Sequence, residues 1–143
     1  MAALVDTNVL VYRFDPRFPE KQSLARQLLR RGLSDDSVRV PHQAVVEFVT
    51  ATTRSMPGLG PLLSSDDARP RGEELLGQFV ILYPSAAVVR TAIRGWATYG
   101  LSWFDAHLWA YAETFGLTRD LPEDFQHDRL YRTVRAVDPF RVR

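Results

Sequence analysis

Short apolar runs alternate along this chain with longer stretches in which apolar residues recur every three or four positions. That alternation of periods predicts strands followed by helices. The first run, Ala3-Leu4-Val5, stops at Asp6, passes through Thr7 and Asn8, and resumes as Val9, Leu10 and Tyr12 at helical spacing. A buried strand therefore leads directly into a short helix, and Asp6 stands at the strand's carboxyl end. Asp, Thr and Asn are also favoured helix N-caps, so the triplet is equally consistent with a capped helix start.

The stretch Phe14-Asp15-Pro16-Arg17-Phe18-Pro19 breaks that helix. An amphipathic helix is predicted over 20–31, with Leu24, Leu28 and Leu29 on one face, Lys21, Arg26, Arg30 and Arg31 as a solvated remainder, and Gly32 as its end. A second short strand over 37–40 runs into Pro41 and a helix over 42–54, on which Ala44, Glu47, Phe48 and Ala51 share one side. Glu47 thus falls within an apolar stripe, where a carboxylate is costly without a partner or access to water. Residues 56–72, rich in Pro, Gly, Ser and Asp, read as an irregular loop with a short helix from Ser65 limited by Pro70.

Helical pattern resumes over 73–77, and Phe79 to Tyr83 reads as a buried strand. A helix opened by Pro84 and Ser85 continues to about Tyr99, with Val88, Val89, Ala92, Ile93 and Trp96 expected on its inner side. Ser102 and Asp105 have the spacing of a capping box, while Asp105 also tops a stripe formed with Leu108, Trp109 and Ala112. A strand over 117–121, interrupted by Arg119 and Asp120, and a last strand over 133–137 complete the pattern. Repeated strand–helix units of this kind predict an α/β fold, a three-layer α/β/α sandwich on a mostly parallel, four- or five-stranded twisted sheet.

Composition narrows the chemistry. At 143 residues and 45% hydrophobic, the chain has the size of a single domain spanning 1–143. No apolar run is long enough to span a membrane and no secretory leader is visible, so a cytoplasmic location is expected. Cysteine is absent, which removes disulfides, thiol nucleophiles and zinc–thiolate sites. The formal net charge of +1 argues against a wholly basic surface, although Lys21 is the only lysine and nearly every positive charge is a bidentate-capable arginine. His42, His107 and His127 are too widely spaced for a zinc site.

Four acids, Asp6, Glu47, Asp105 and Asp124, stand at or just beyond strand ends or early in the helices that follow. In a parallel sheet such positions converge on one crevice at the carboxyl edge. Clustered carboxylates repel, and their natural occupant is a hard divalent cation that can also activate water for attack on a phosphodiester.

These segments together resemble the PIN-domain nucleases, and specifically the VapC-type ribonuclease toxins of type II toxin–antitoxin systems. The resemblance rests on Val5-Asp6-Thr7-Asn8-Val9-Leu10-Val11-Tyr12, Pro41 through Glu47-Phe48, Leu101-Ser102-Trp103-Phe104-Asp105-Ala106, Glu123-Asp124-Phe125-Gln126-His127 and Val134 to Phe140. It implies Asp6, Glu47, Asp105 and Asp124 as catalytic and metal-site acids, with Thr7 or Asn8 supporting Asp6. It further implies Mg²⁺-dependent endoribonuclease activity (Mn²⁺ substituting), an RNA substrate such as tRNA, a homodimer, and inhibition by a small cognate antitoxin.

Two departures bear on the fourth acid. Pro122 stands where similar sequences carry Ser or Thr, and Asp120 and Asp128 occupy positions usually apolar and glycine. Asp120, Glu123 or Asp128 are therefore alternatives to Asp124, as is a site of three carboxylates. The corresponding alternative function is a catalytically weakened PIN-like module that binds RNA or a protein partner. A receiver or haloacid-dehalogenase-like phosphatase with Asp6 as phosphate acceptor is disfavoured, because Asn8 stands where the second Asp of such phosphatases belongs.

Overall fold

The computed structural model describes residues 2–117, 119–121, 130–131 and 134–141. The elements run β1 (Ala3–Val5), α1 (Thr7–Tyr12), α2 (Pro19–Asp35), β2 (Val38–Pro41), α3 (His42–Thr53), α4 (Ser65–Gln78), β3 (Val80–Leu82), α5 (Ala86–Tyr99), α6 (Trp103–Thr114), β4 (Arg119–Leu121), β5 (Leu130–Tyr131) and β6 (Val134–Ala136). The six strands are ordered β3-β2-β1-β4-β6-β5. Every neighbouring pair is parallel except β5 with β6, which is antiparallel. The mostly parallel α/β/α sandwich is therefore the one expected, with the two-residue β5 as an edge strand that carries too little periodicity to be seen in advance.

β1 is central and buried throughout, and its alternation divides the core. Leu4 faces α5 and α6 in one cluster with Val88, Ala92, Leu108, Trp109 and Tyr111. Ala3 and Val5 face the other, with Val9, Leu10, Leu29, Phe48 and Leu75 from α1, α2, α3 and α4. With helices on both faces, the carboxyl edge of the sheet is left open for a site.

Several boundaries differ from expectation for identifiable reasons. α2 runs through Gly32 to Asp35, and Asp36 in the left-handed conformation, φ 54°, forms its end. Gly32 serves packing instead: a Cβ there would overlap Val38 Cγ2 on the adjoining strand. α4 is one continuous helix with Pro70 inside it. Proline removes a single backbone bond there, to the carbonyl of Asp66 near the exposed start of the helix, while the Ser64 hydroxyl accepts from Asp67 N–H as N-cap. β3 is an edge strand rather than a fully buried one, with Val80 46% exposed.

Candidate active site

Asp6 is the N-cap of α1, extended at φ −78° and ψ 161°, and its Oδ1 accepts from the backbone N–H of Thr7 at 2.6 Å. The cap and site readings of Asp6 thus coincide, since the capping residue also lines a cavity of about 470 Å³ at the end of β1. Thr7, only 7% exposed, donates its hydroxyl proton to Glu47 Oε2 at 2.7 Å, forty residues along the chain. That bond joins the start of α1 to the middle of α3 and sets the position of one Glu47 oxygen. Glu47 is half-buried beside the fully buried Phe48, so it lies at the margin of the apolar stripe and is partnered as well.

Asp105 arrives from α6, which follows α5 after the short turn 100–102 rather than following a strand directly. Its backbone N–H donates to Ser102 Oγ at 3.1 Å, as the capping pattern predicts, and its side chain is half-buried. The first turn of α6 can hold it there because the rest of the helix, from Ala106 through Ala112, packs into the core. Asp6, Glu47 and Asp105 line the same cavity. Asp124, with its alternatives Glu123 and Asp128, lies outside the described residues, as does His127; Asp120 is placed only as part of β4.

The sequence reading missed Gln43, Thr50, Arg54 and Phe104, which also line this cavity. For three of them a signal was present: Gln43, Glu47, Thr50 and Arg54 follow one another at steps of four, three and four, so they fall on one side of α3 and its C-cap. Phe104, 67% exposed next to Asp105, gave no such signal. His107 is occupied locally, with Nδ1 2.8 Å from the Trp103 carbonyl oxygen. The ring of His42 lies 5.6 Å from that of Tyr83.

The donor set consists of carboxylate oxygens with one guanidinium, Arg54, also on the cavity wall. Among the described residues no three acids form a ready-made ligand cluster. Carboxylates spread around a solvent-accessible cavity suit Mg²⁺, which keeps several of its waters and takes only one or two carboxylates directly. Among the described residues no helix is long and apolar enough to cross a membrane.

The PIN domain model matches residues 3–125 of this chain. No curated protein sequence matches it. In solved structures the fold is similar to a toxin–antitoxin complex from Klebsiella pneumoniae, with TM-score 0.70 and 18% identity over 99% of this chain and 100% of that one. Mycobacterium tuberculosis VapC20, described as a sarcin–ricin loop cleaving toxin, gives TM-score 0.61 at 14% identity over 86% of this chain and 92% of its own. VapBC2 from Rickettsia felis, solved bound to a DNA fragment from its promoter, gives 0.65 at 12% identity over 95% and 97%. At these identities the likeness is one of fold.

Proposed function

The chain belongs to the PIN domain family, and on that premise we propose that it is a metal-dependent endoribonuclease, the toxin of a VapC-type toxin–antitoxin pair. The observation that carries this reading is the placement of Asp6, Glu47 and Asp105 around one cavity at the end of the central strand. Asp6, Glu47 and Asp105, with a fourth acid, Asp124 or a neighbour, would hold Mg²⁺ or Mn²⁺. When bound, the cation supplies charge to offset the phosphate and lowers the pKa of water for attack on phosphorus.

The chain's own residues do the rest. The Thr7 hydroxyl holds Glu47 in one orientation on the cavity wall, so that its carboxylate does not sample several rotamers. Arg54 on the rim can meet a non-bridging phosphate oxygen and draw the strand across the acids, which would otherwise repel it. The exposed ring of Phe104 beside Asp105 offers a face on which an unstacked base can rest. Such a site reads single-stranded or structured RNA, such as tRNA, rather than the base edges of a duplex.

A partner surface accompanies the site. Val89, Ile93 and Trp96 on α5 are 37%, 50% and 52% exposed, and the Trp96 ring meets Trp103 at 5.2 Å. This apolar strip supports the expectation that the protein works as a homodimer and is restrained by a small antitoxin.

The test is incubation of the purified chain with a total tRNA pool in Mg²⁺, in Mn²⁺ and in EDTA, with Asp6→Asn as control. Discrete fragments that need metal and disappear in the variant are expected. Intact RNA under every metal, from protein shown by circular dichroism to be folded, would overturn the nuclease reading in favour of a binding module.

A further inference from the structure

A second cavity, sharing no lining residue with the acidic one, lies where the end of α1 meets α2 and α4. Its volume is about 380 Å³. The charged groups around it are Arg13, Arg26, Arg30, Arg71 and Glu74, four positive and one negative, for a net charge of +3. Glu74 is already engaged, since both its oxygens lie 2.8 and 2.9 Å from Arg71 Nη1. Arg26 and Arg30, one turn apart on α2, enter no ion pair among the described residues.

Arg13 is the informative member. Its Nε and Nη2 are buried and meet no acceptor among the described residues. Burial is the largest influence lowering its pKa; Glu74 opposes, and Arg71 and Arg26 act in the same direction as burial. A guanidinium desolvated in this way, with two donors unanswered, is unfavourable, and because both atoms are closed to solvent an acceptor in the cavity reaches them only as the side chain turns toward it. The aromatic ring of Phe14 holds the geometry, with Arg13 Cζ 4.9 Å and Arg71 Cζ 5.8 Å from its centroid. The cationic groups therefore come from three separate elements, Arg13 and Arg71 over the Phe14 ring and Arg26 and Arg30 from the exposed side of α2.

We propose that this cavity is an oxyanion site that takes a phosphate group between Arg13, Arg26, Arg30 and Arg71. The chemistry favours phosphate over a carboxylate. A carboxylate has two coplanar oxygens that one guanidinium fork can satisfy, whereas a phosphate dianion presents three oxygens out of one plane and carries two charges. The site stands on its own geometry and does not depend on the nuclease reading. Its phosphate has two possible sources, free inorganic phosphate or the terminal phosphate of a nucleotide or RNA strand.

Isothermal titration calorimetry in EDTA, at ionic strength held constant with chloride, tests this without any contribution from RNA cleavage. Inorganic phosphate should bind saturably at one site per chain. In the Arg26→Ala/Arg30→Ala double variant, and separately in Arg13→Met, affinity should fall by about tenfold or more, the loss expected when a charge-assisted hydrogen bond is removed. Alanine at the two α2 positions preserves helix propensity, so the double variant keeps the test open if Arg13→Met fails to fold. A 5′-phosphorylated oligoribonucleotide that binds more tightly than its 5′-hydroxyl counterpart would identify a strand end as the source; equal binding of the two, with saturable inorganic phosphate, would identify the free anion. Absence of saturable phosphate binding, affinity unchanged in the double variant, or binding of a glutamate-rich peptide without phosphate binding would each overturn the proposal.

Discussion

The hydrogen bond from Thr7 to Glu47 is a contact in the acidic cavity whose removal can be sized in advance. Thr7→Val keeps the β-branched shape and deletes only the hydroxyl. A hydrogen bond to a charged acceptor contributes about 1.5–3 kcal/mol, and the methyl that replaces the hydroxyl at this 7% exposed position returns about 0.8 kcal/mol of apolar burial. The net destabilisation is then about 0.7–2.2 kcal/mol, with the lower half favoured because Glu47 is half-buried and water can reach its released oxygen. Urea denaturation of Thr7→Val, Thr7→Ser and wild type measures it: serine should retain most of the stability that valine loses. In a Glu47→Ala background the same Thr7→Val change should cost nothing, since no acceptor is left. RNA cleavage by Thr7→Val should drop with little change in KM, because a misdirected Glu47 affects the chemical step more than strand binding. If Thr7→Val matched wild type in stability in the presence of Glu47, the orienting role assigned to Thr7 would be refuted.

Three further changes probe the frame that carries the site. Gly32→Ala should destabilise by about 1–2 kcal/mol despite the better helix propensity of alanine, because the new methyl collides with the stiff Val38 side chain, and the loss should shrink in a Val38→Ala background when both are followed by urea denaturation. Gly95→Ala should lower the melting temperature by more than ordinary helical Gly→Ala changes would raise it, since its Cβ would overlap Cζ3 and Cε3 of the buried Trp109 ring; near-ultraviolet circular dichroism should report the displaced indole. Hydrogen bonds from the Arg17 guanidinium hold the Asp15 carboxyl below its ordinary value, with burial opposing. Its stabilisation is therefore complete above the unfolded pKa of about 3.9 and is lost as pH falls through the lower folded pKa. Asp15→Asn should accordingly flatten the acid limb of the stability–pH curve, and an unchanged limb would count against the pairing.

How far the sequence could be read depended on whether a residue's role was local. The strand–Asp–helix start at Val5-Asp6-Thr7 was legible because the change of hydrophobic period and the cap lie within a few positions of one another. Ser102 and Asp105 were legible for the same reason, and the capping bond is present. The partnership of Thr7 with Glu47 was not, since it spans forty positions and neither residue advertises the other. Gly32 misled because a glycine near a helix end fits a cap and a close approach equally well, and only the position of Val38 decides between them. The arginines of α2 are exposed, as a solvated charged face should be, and only the arrival of Arg13 and Arg71 from other elements makes Arg26 and Arg30 part of a cavity wall as well. The region of the fourth acid carries the departures Pro122 and Asp128, and Asp124 falls outside the described residues.

Helix α5 shows the limit most clearly. The sequence pattern predicts one inner face for five apolar residues, yet in the structure they form two stripes one residue out of step. Val88 and Ala92, continued by Gly95, follow the i, i+4, i+7 spacing and are buried. Val89, Ile93 and Trp96 follow the same spacing displaced by one position, about 100° around the helix, and are exposed. The choice between the stripes is made by Gly95, not by hydrophobicity: the face without a side chain is the one that lets Trp109 of α6 pack against the backbone. Once that face is taken inward, Trp96 must point out, where it meets Trp103 at the start of α6, two residues before Asp105. The same close approach that seats α6 in the core therefore also sets an aromatic strip on the surface beside the acidic cavity, so a partner covering that strip would sit at its border.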